Sequence, residues 1–303
     1  MLCGCGKSYK IRNHIPRFVE SDKYVRSFSL EWTTFKRTQL DSQSKANLEG
    51  SRVGLDRLFG LDSARLEGAV SLDVGCGTGR HLEVMSQYVA EAFGVDLSES
   101  VETAQEHVGG LPNVHIIQAD LRALPFRKET FDLVYSIGVL HHTPDTRQAF
   151  MSVAPLVKRG GVLAVWVYSP YGLLKRMQAP FYAFWRAIMR RLPLRVVLLF
   201  SYAAVPLYWG YKIFPPILVV VPFARHPNWE HRVLDTFDMY TPKYTRTHTK
   251  EEVLEWFSHS GFSQAHVTMG DEGSKGFRIS LQALGLRELE ITRENLGIKG
   301  FKG

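Results

Sequence analysis

Three glycines and three acids stand at spacings that could hold a nucleoside. Gly75, Gly77 and Gly79 fall in residues 72–80, LDVGCGTGR, with Asp73 two residues before the first of them. Glycine permits positive φ and lets backbone approach a ligand closely. The spacing is G-x-G-x-G, one residue short of the G-x-G-x-x-G of a dinucleotide turn. A carboxylate at such a turn would repel a pyrophosphate but favour the cationic end of a ligand. Asp96 follows about 20 residues later, where an α/β nucleoside site places its partner for the ribose hydroxyls. Its two oxygens can accept from both hydroxyls. Asp120 is the third acid. His141 and His142 are the ionisable pair best suited to proton transfer, since an imidazole with pKa ~6.5 can serve as base toward a hydroxyl. The plainer role for the pair is to hold a loop; His141 is the preferred base if either acts.

The elements that must position these residues are legible as apolar runs. Residues 69–74 lead into the glycines, and a helical pattern of Leu82, Val84, Met85 and Val89 follows them. Residues 93–97 (FGVDL) end near Asp96, and residues 114–118 stop two residues short of Asp120. Residues 131–136 (FDLVYS) run into IGVLHH, and residues 162–168 follow the turn KRGG. The acids, glycines and histidines thus sit at the C-terminal ends of successive strands, where open parallel sheets bind ligands.

Taken together, LDVGCGTGR, GVDLS, QADLRALPF, FDLVYSIGVLHH and VKRGGVLAVWVY resemble the class I methyltransferases that use S-adenosylmethionine (SAM), and most of all the small-molecule branch with the quinone methylases. The resemblance implies an α/β, Rossmann-like fold. Its sheet has seven mostly parallel strands with an antiparallel last strand, and a helical lid is inserted. It implies SAM as cofactor, held by Asp73, Gly75, Gly77, Gly79, Asp96, Leu97, Asp120, Leu121 and Ser136. Asp96 would take the ribose, Leu97 the adenine face and Asp120 the adenine amino group. Arg80 is a candidate partner for a carboxylate. Methyl transfer from a sulfonium needs alignment more than acid–base help, so neither histidine is required to react.

The charge of +7 could indicate nucleic acid, an anionic membrane or an anionic substrate, or simply a basic solvated surface. The proportions of apolar (45%) and charged (22%) residues are those of a globular chain rather than a disordered one. Cys3, Cys5 and Cys76 suggest no disulfide framework, which fits a reducing cytoplasm. The start of the chain shows no apolar core of a secretory signal. Residues 1–19 resemble the zinc-ribbon-like leader of some methyltransferases, ending in Ile15, Pro16, Arg17 and Phe18. One close cysteine pair with a distant His14 falls short of four zinc ligands. The leader is therefore expected to be a degenerate ribbon or a β-hairpin arm, and no metal is expected.

Four regions follow: an arm and cap segment over residues 1–44, a SAM-binding core over 45–168, a hydrophobic helical lid over 169–225 and a C-terminal part over 226–303. In the cap, Tyr24, Phe28, Trp32 and Phe35 recur at helical steps. The resemblance makes Trp32 and Phe35 candidates for lining the pocket. In the lid, residues 196–223 carry Lys212 as their only formal charge, and basic and aromatic residues precede them. Pro206, Gly210, Lys212 and Pro215–Pro216 interrupt the ~20 apolar residues a membrane span needs. The lid is expected to set apolar walls beside the methyl donor, either as a plain helical lid packed on the core or, as the sharper alternative, as one that also rests its basic flank on an anionic membrane face.

Residues 235–244, DTFDMYTPKY, read as a loop, with Asp238, Tyr240 and Tyr244 as acceptor-site candidates. Thr249 and Glu252 form a capping box for a helix that Gly261 ends. Val267 and residues 277–281 are expected to form the final hairpin, and the tail from Gly285 to be peripheral.

The expected activity is methylation, at oxygen or carbon, of a small lipophilic or aromatic acceptor in the cytoplasm, with contact at the inner membrane face. An RNA methyltransferase is the alternative raised by charge alone, and no base-stacking motif supports nucleic acid. A SAM-binding protein without turnover is a further alternative. The glycine spacing and Asp73 speak against a nicotinamide-dependent reductase.

Overall fold

A computed structural model describes residues 6, 8–19, 26–36, 40, 42, 50–169, 173–214, 220–269 and 295–302. Its centre is a nine-stranded sheet of β1 (Lys10–Arg12), β2 (Ile15–Arg17), β3 (Val70–Val74), β4 (Glu91–Asp96), β5 (Val114–Gln118), β6 (Phe131–Ile137), β7 (Val157–Tyr168), β8 (Phe262–Met269) and β9 (Asn295–Lys302). The strand order is β1-β2-β5-β4-β3-β6-β7-β9-β8. Pairing from β2 to β7 is parallel, and β9 runs antiparallel between β7 and β8. Seven of these strands make the expected α/β sheet with its antiparallel last strand, and the β1–β2 hairpin widens it. Strand β3 lies between β4 and β6, so the order reverses there, and a crevice opens beyond its C-terminal end.

The chain packs helices on both faces, as a parallel sheet buried on both sides requires. In chain order these are α1 (Arg26–Thr34), α2 (Gly50–Phe59), α3 (Ser63–Leu66), α4 (Arg80–Met85), α5 (Ser100–Val108), α6 (Thr146–Val153), α7 (Leu173–Met189), α8 (Leu194–Ser201), α9 (Ala204–Ile213), α10 (Trp229–Tyr240) and α11 (Lys250–His259). Thr249 caps α11, its hydroxyl accepting from the Glu252 N–H at 3.2 Å. The Glu252 carboxylate pairs with His248 instead of closing the capping box.

Several expectations are corrected. Residues 277–281 lie outside the described residues, and the tail is not peripheral, because Asn295–Lys302 forms β9 inside the sheet. The segment KRGG is no turn: it lies within β7, where Gly160 takes φ 75° and the pairing with β6 shifts register. Asp235 to Tyr240 are the last two turns of α10 rather than a loop. Asn228 starts that helix by accepting from the backbone of Glu230 and His231, at 2.8 and 3.1 Å. Val233, Leu234, Phe237 and Tyr240 then recur at helical spacing and are buried. That stripe outweighs the turn-forming composition.

At the amino end the β1–β2 hairpin docks as an arm. Ile15 is fully buried, and Phe18 donates its N–H to the Gln118 carbonyl at 2.8 Å. The Arg17 guanidinium ties Gln118 of β5 to Glu102 of α5. Cys3 and Cys5 lie outside the described residues.

The insertion folds as α7, α8 and α9. The stretch Leu194–Ile213 is long and apolar enough to cross a membrane by length and composition. It is broken at Tyr202–Ala203, and its inner side packs on α10, with Val197 against Phe237 and Tyr240 and Leu198 and Val205 against Val233 and Leu234. Its outer side is apolar and bare: Leu199 is 73% exposed, Trp209 62% and Ile213 87%.

Candidate active site

The crevice beyond β3 is a cavity of about 290 Å³. Its floor is backbone and strand ends: Gly75, Cys76, Gly77 and Thr78 after β3, Asp96 and Leu97 after β4, Leu121 after β5, and Gly138 to Val139 after β6. Its roof is Phe28, Glu31 and Trp32 from α1 with Leu234, Asp235 and Asp238 from α10. Trp166 and Tyr168 at the end of β7, with His142, close one side.

The floor depends on glycine at two points. Gly75 has φ 89°, and a Cβ there would fall 2.3 Å from Val139 Cγ2. Gly77 has φ 54°, and a Cβ would meet only the Trp32 indole, at 3.7 Å. Gly77 thus leaves a methyl-sized gap beneath the indole. Gly79 does not line the cavity. It begins α4 at φ 83°, where a Cβ would fall 2.8 Å from Val108, so it lets α4 and α5 approach.

Asp96 presents its carboxylate to the cavity. It accepts from the Gly77 N–H at 3.0 Å and from the Ser98 N–H and hydroxyl at 2.8 and 2.7 Å. Burial raises its pKa, and those hydrogen bonds oppose the rise. Leu97 and Leu121 line the cavity as expected of adenine contacts. Asp73 lies behind the turn, 1% exposed, and neither carboxylate oxygen has a hydrogen-bond partner among the described residues. Burial pushes its pKa well up, with Arg80 pulling it down and Asp96 adding to the rise. His81 Nδ1 is 3.8 Å away, but burial holds His81 neutral, so the contact is not an ion pair. An orphaned buried carboxylate behind an open glycine cradle, beside Arg80, fits a ligand with an ammonium and a carboxylate. SAM has both groups.

Two other cofactor candidates fall elsewhere. Asp120 turns back to cap the helical turn after β5, accepting from the Arg122 N–H at 3.0 Å and its guanidinium at 2.6 Å. Burial alone would raise its pKa, but the Arg122 bonds outweigh that and leave it lowered. It is therefore not at the cavity. Ser136 is fully buried and donates to the Val74 carbonyl at 2.8 Å, locking β6 to β3.

The histidine pair divides against the expected preference. His141 is fully buried behind the cavity, 3.9 Å from the Tyr168 ring, and its ring nitrogens have no partner among the described residues. Burial, then His142 and His248, holds it neutral. His142 is the one that lines the cavity. Its Nδ1 lies 2.9 Å from the Tyr244 carbonyl. A carbonyl only accepts, so Nδ1 carries the proton and Nε2 keeps its lone pair. Burial lowers its pKa, against Asp238 and the Tyr244 carbonyl.

Of the acceptor candidates, Trp32 and Asp238 line the cavity. Asp238 accepts from the Tyr168 hydroxyl at 3.1 Å. Phe35 is buried against Val233 and Leu234, away from the cavity. Tyr240 is a pin, its hydroxyl donating to the Pro222 carbonyl. Tyr244 contributes its backbone carbonyl to His142. Among the described residues none from the insertion lines the cavity, where an apolar wall was expected; α10 stands between, because the described part of the insertion packs on that helix.

Sequence reasoning missed Glu31 and Asp235. Glu31 is 2% exposed, and burial, then Asp238 and Asp235, raises its pKa well above the usual range. The Asp235 pKa is pushed up to about 7 by burial and Asp238, with Arg80 opposing. The available signal was the i,i+3 spacing of Asp235 and Asp238 on a helix with an apolar opposite face.

Comparison with known proteins accords with this geometry. Residues 72–165 match the family model described as a methyltransferase domain. The chain is 34% identical over 139 residues to the uncharacterized methyltransferase YcgJ of Bacillus subtilis, covering 45% of this chain and 54% of that one. It is 34% identical over 128 residues to the O-methyltransferase cnsE of Penicillium expansum, covering 41% and 46%. It is 34% identical over 100 residues to a ubiquinone biosynthesis O-methyltransferase of Coxiella burnetii, covering 32% and 43%. The chain thus spans about half the length of these relatives. The crystal structure of YcgJ superposes with a TM-score of 0.50 at 16% identity, over 82% of this chain and 98% of that one, which shows a shared fold. Residues 72–165 thus match a methyltransferase domain, carried on a Rossmann-like sheet.

Proposed function

We propose that the protein transfers a methyl group from SAM to a small aromatic or lipophilic acceptor, at oxygen or carbon. One observation carries the reading: a single cavity joins a nucleoside-sized floor to an aromatic upper half of Phe28, Trp32, Trp166 and Tyr168. The ubiquinone biosynthesis and cnsE relatives, both named O-methyltransferases, support the choice of acceptor. SAM, when bound, supplies a methyl group already activated by the sulfonium.

The chain's own residues then hold and align. Gly75 and Gly77 leave room for the methionine end, Arg80 takes its carboxylate, and Asp73 and Asp96 favour the ammonium and the ribose. Alignment of the acceptor with the methyl carbon supplies much of the rate. His142, neutral and held by the Tyr244 carbonyl, can accept the proton of a hydroxyl acceptor at Nε2.

The outer face of α7 to α9 suits an anionic membrane surface, at the cytoplasmic side in this reading. Leu199, Phe200, Trp209, Ile213 and Phe214 are exposed there, and Arg190, Arg191, Arg195 and Lys212 are exposed around them. Such a basic, apolar face binds in the interfacial plane. The inner side is committed to α10, so lying on the surface fits better than spanning.

The test is incubation with methyl-labelled SAM and a whole-cell extract, followed, after the mixture is made strongly alkaline so that any amine is neutral, by partition among organic solvent, water and RNA precipitated beforehand. Label in the organic phase is expected; label in RNA would overturn the acceptor class. Co-sedimentation with phosphatidylglycerol vesicles at low salt is expected to be lost in a Leu199→Glu, Ile213→Glu double variant. Wild-type protein left in the supernatant would remove the membrane reading.

A further inference from the structure

The roof of the cavity carries three carboxyls that the SAM reading leaves unused. Glu31, Asp235 and Asp238 lie in it together; after burial, Asp238 and Asp235 raise the pKa of Glu31, and Asp238 raises that of Asp235. Glu31 is 98% buried yet lines the cavity, and its Oε2 has no hydrogen-bond partner among the described residues. Asp238 keeps one oxygen on the Tyr168 hydroxyl, and its other oxygen, Oδ1, is also buried and without a partner. Buried polar groups are ordinarily satisfied, and a buried charge without a partner is costly. Burial and mutual repulsion raise the pKa of Glu31 and Asp235, and a cation bound among the three carboxyls would draw them back to the charged form. Arg80 is the cation lining this cavity among the described residues, and it stands at the floor, where it faces Asp73 as well as Asp235.

We propose that the roof is the acceptor's anchoring subsite, and that it takes a cationic nitrogen, an ammonium or amidinium, carried on an aromatic or apolar body. This rests on the methyltransferase reading above. The nitrogen sits among Glu31, Asp235 and Asp238 while Trp32, Phe28 and Trp166 hold the body; aromatic faces also favour a cation directly. The nitrogen is an anchor, so the reacting oxygen or carbon is a different atom, placed toward His142. Neutral hydroxyls would satisfy single oxygens of the roof but leave its charge uncompensated.

The test uses the full chain saturated with S-adenosylhomocysteine, which lacks the sulfonium. Phenethylamine, tyramine and benzamidine are titrated by calorimetry beside the neutral isosteres 2-phenylethanol, tyrosol and benzamide. At least one cation is expected to bind tenfold or more tighter than its isostere. Glu31→Gln should erase that preference and leave the S-adenosylhomocysteine Kd within twofold. Asp235→Asn serves as the second variant should Glu31→Gln fail to fold. The proposal is overturned if no cation exceeds its isostere, if the preference survives both substitutions, or if Glu31→Gln weakens S-adenosylhomocysteine itself. Failure of the wild type to bind S-adenosylhomocysteine would instead remove the methyltransferase reading.

Discussion

The floor of the cavity is made of strand ends and backbone, whereas its roof is made of two helices from the first and last thirds of the chain. The floor comes from one run of β-turn-α units, and the acid that faces the cavity is satisfied locally, Gly77 and Ser98 donating to Asp96 at the same sheet edge, while Asp73 stays bare behind the turn. The roof brings α1 against α10 and leaves its polar atoms unsatisfied, as the bare oxygens of Glu31 and Asp238 show. A site that holds an invariable cofactor can be built largely from one chain segment before that cofactor binds. A site that selects an acceptor is completed by that acceptor.

This contrast can be attacked by substitution on each side. The largest effect is expected from Gly75→Ala, because a Cβ must displace Val139 and sit at φ 89°. Strain and overpacking together should destabilise by about 2–4 kcal/mol, read as a lower urea midpoint with SAM binding abolished. Asp96→Ala comes next and should weaken SAM by about 1–3 kcal/mol in calorimetry through lost hydrogen bonds. Ser136→Ala should cost about 1 kcal/mol of stability while leaving SAM affinity intact, since its hydroxyl serves β3 and not the cavity. A loss of SAM affinity there would move Ser136 back to the floor.

A last effect is a slope with pH. The Asp235 pKa is about 7 in the fold against an ordinary 3.8, so between roughly pH 4 and 7 the folded state holds a proton that the unfolded state has released. Stability should therefore fall as pH rises through that window and level off above it. Glu31 acts in the same direction. Asp235→Asn should make the fall shallower in urea titrations at successive pH values; an unchanged slope would place the titration elsewhere.

The same division explains what was legible in the sequence. The strands β3 to β6 and the residues Gly75, Gly77, Asp96, Leu97 and Leu121 could be read because a parallel sheet fixes its ligand edge by chain order. Asp120 and Ser136 were misplaced because position at a strand end does not say which way a side chain turns. Asp120 found Arg122 two residues on, and Ser136 found the Val74 carbonyl. His141 and His142 are adjacent, so only the backbone twist decides which one faces the cavity. Glu31 and Asp235 were not legible as a pair, since their proximity depends on α1 and α10 meeting across the core. The insertion was legible as a set of helices but not as one that packs on α10 instead of on the ligand.

The most direct test compares Asp96→Ala with Glu31→Gln for SAM affinity by calorimetry and for transfer of label into the organic phase. The account predicts that Asp96→Ala weakens SAM roughly 5- to 150-fold, the equivalent of about 1–3 kcal/mol. It predicts that Glu31→Gln keeps the wild-type SAM affinity within twofold and loses at least tenfold in transfer. Equal losses of SAM affinity in the two variants would contradict the division of the cavity into a cofactor floor and an acceptor roof.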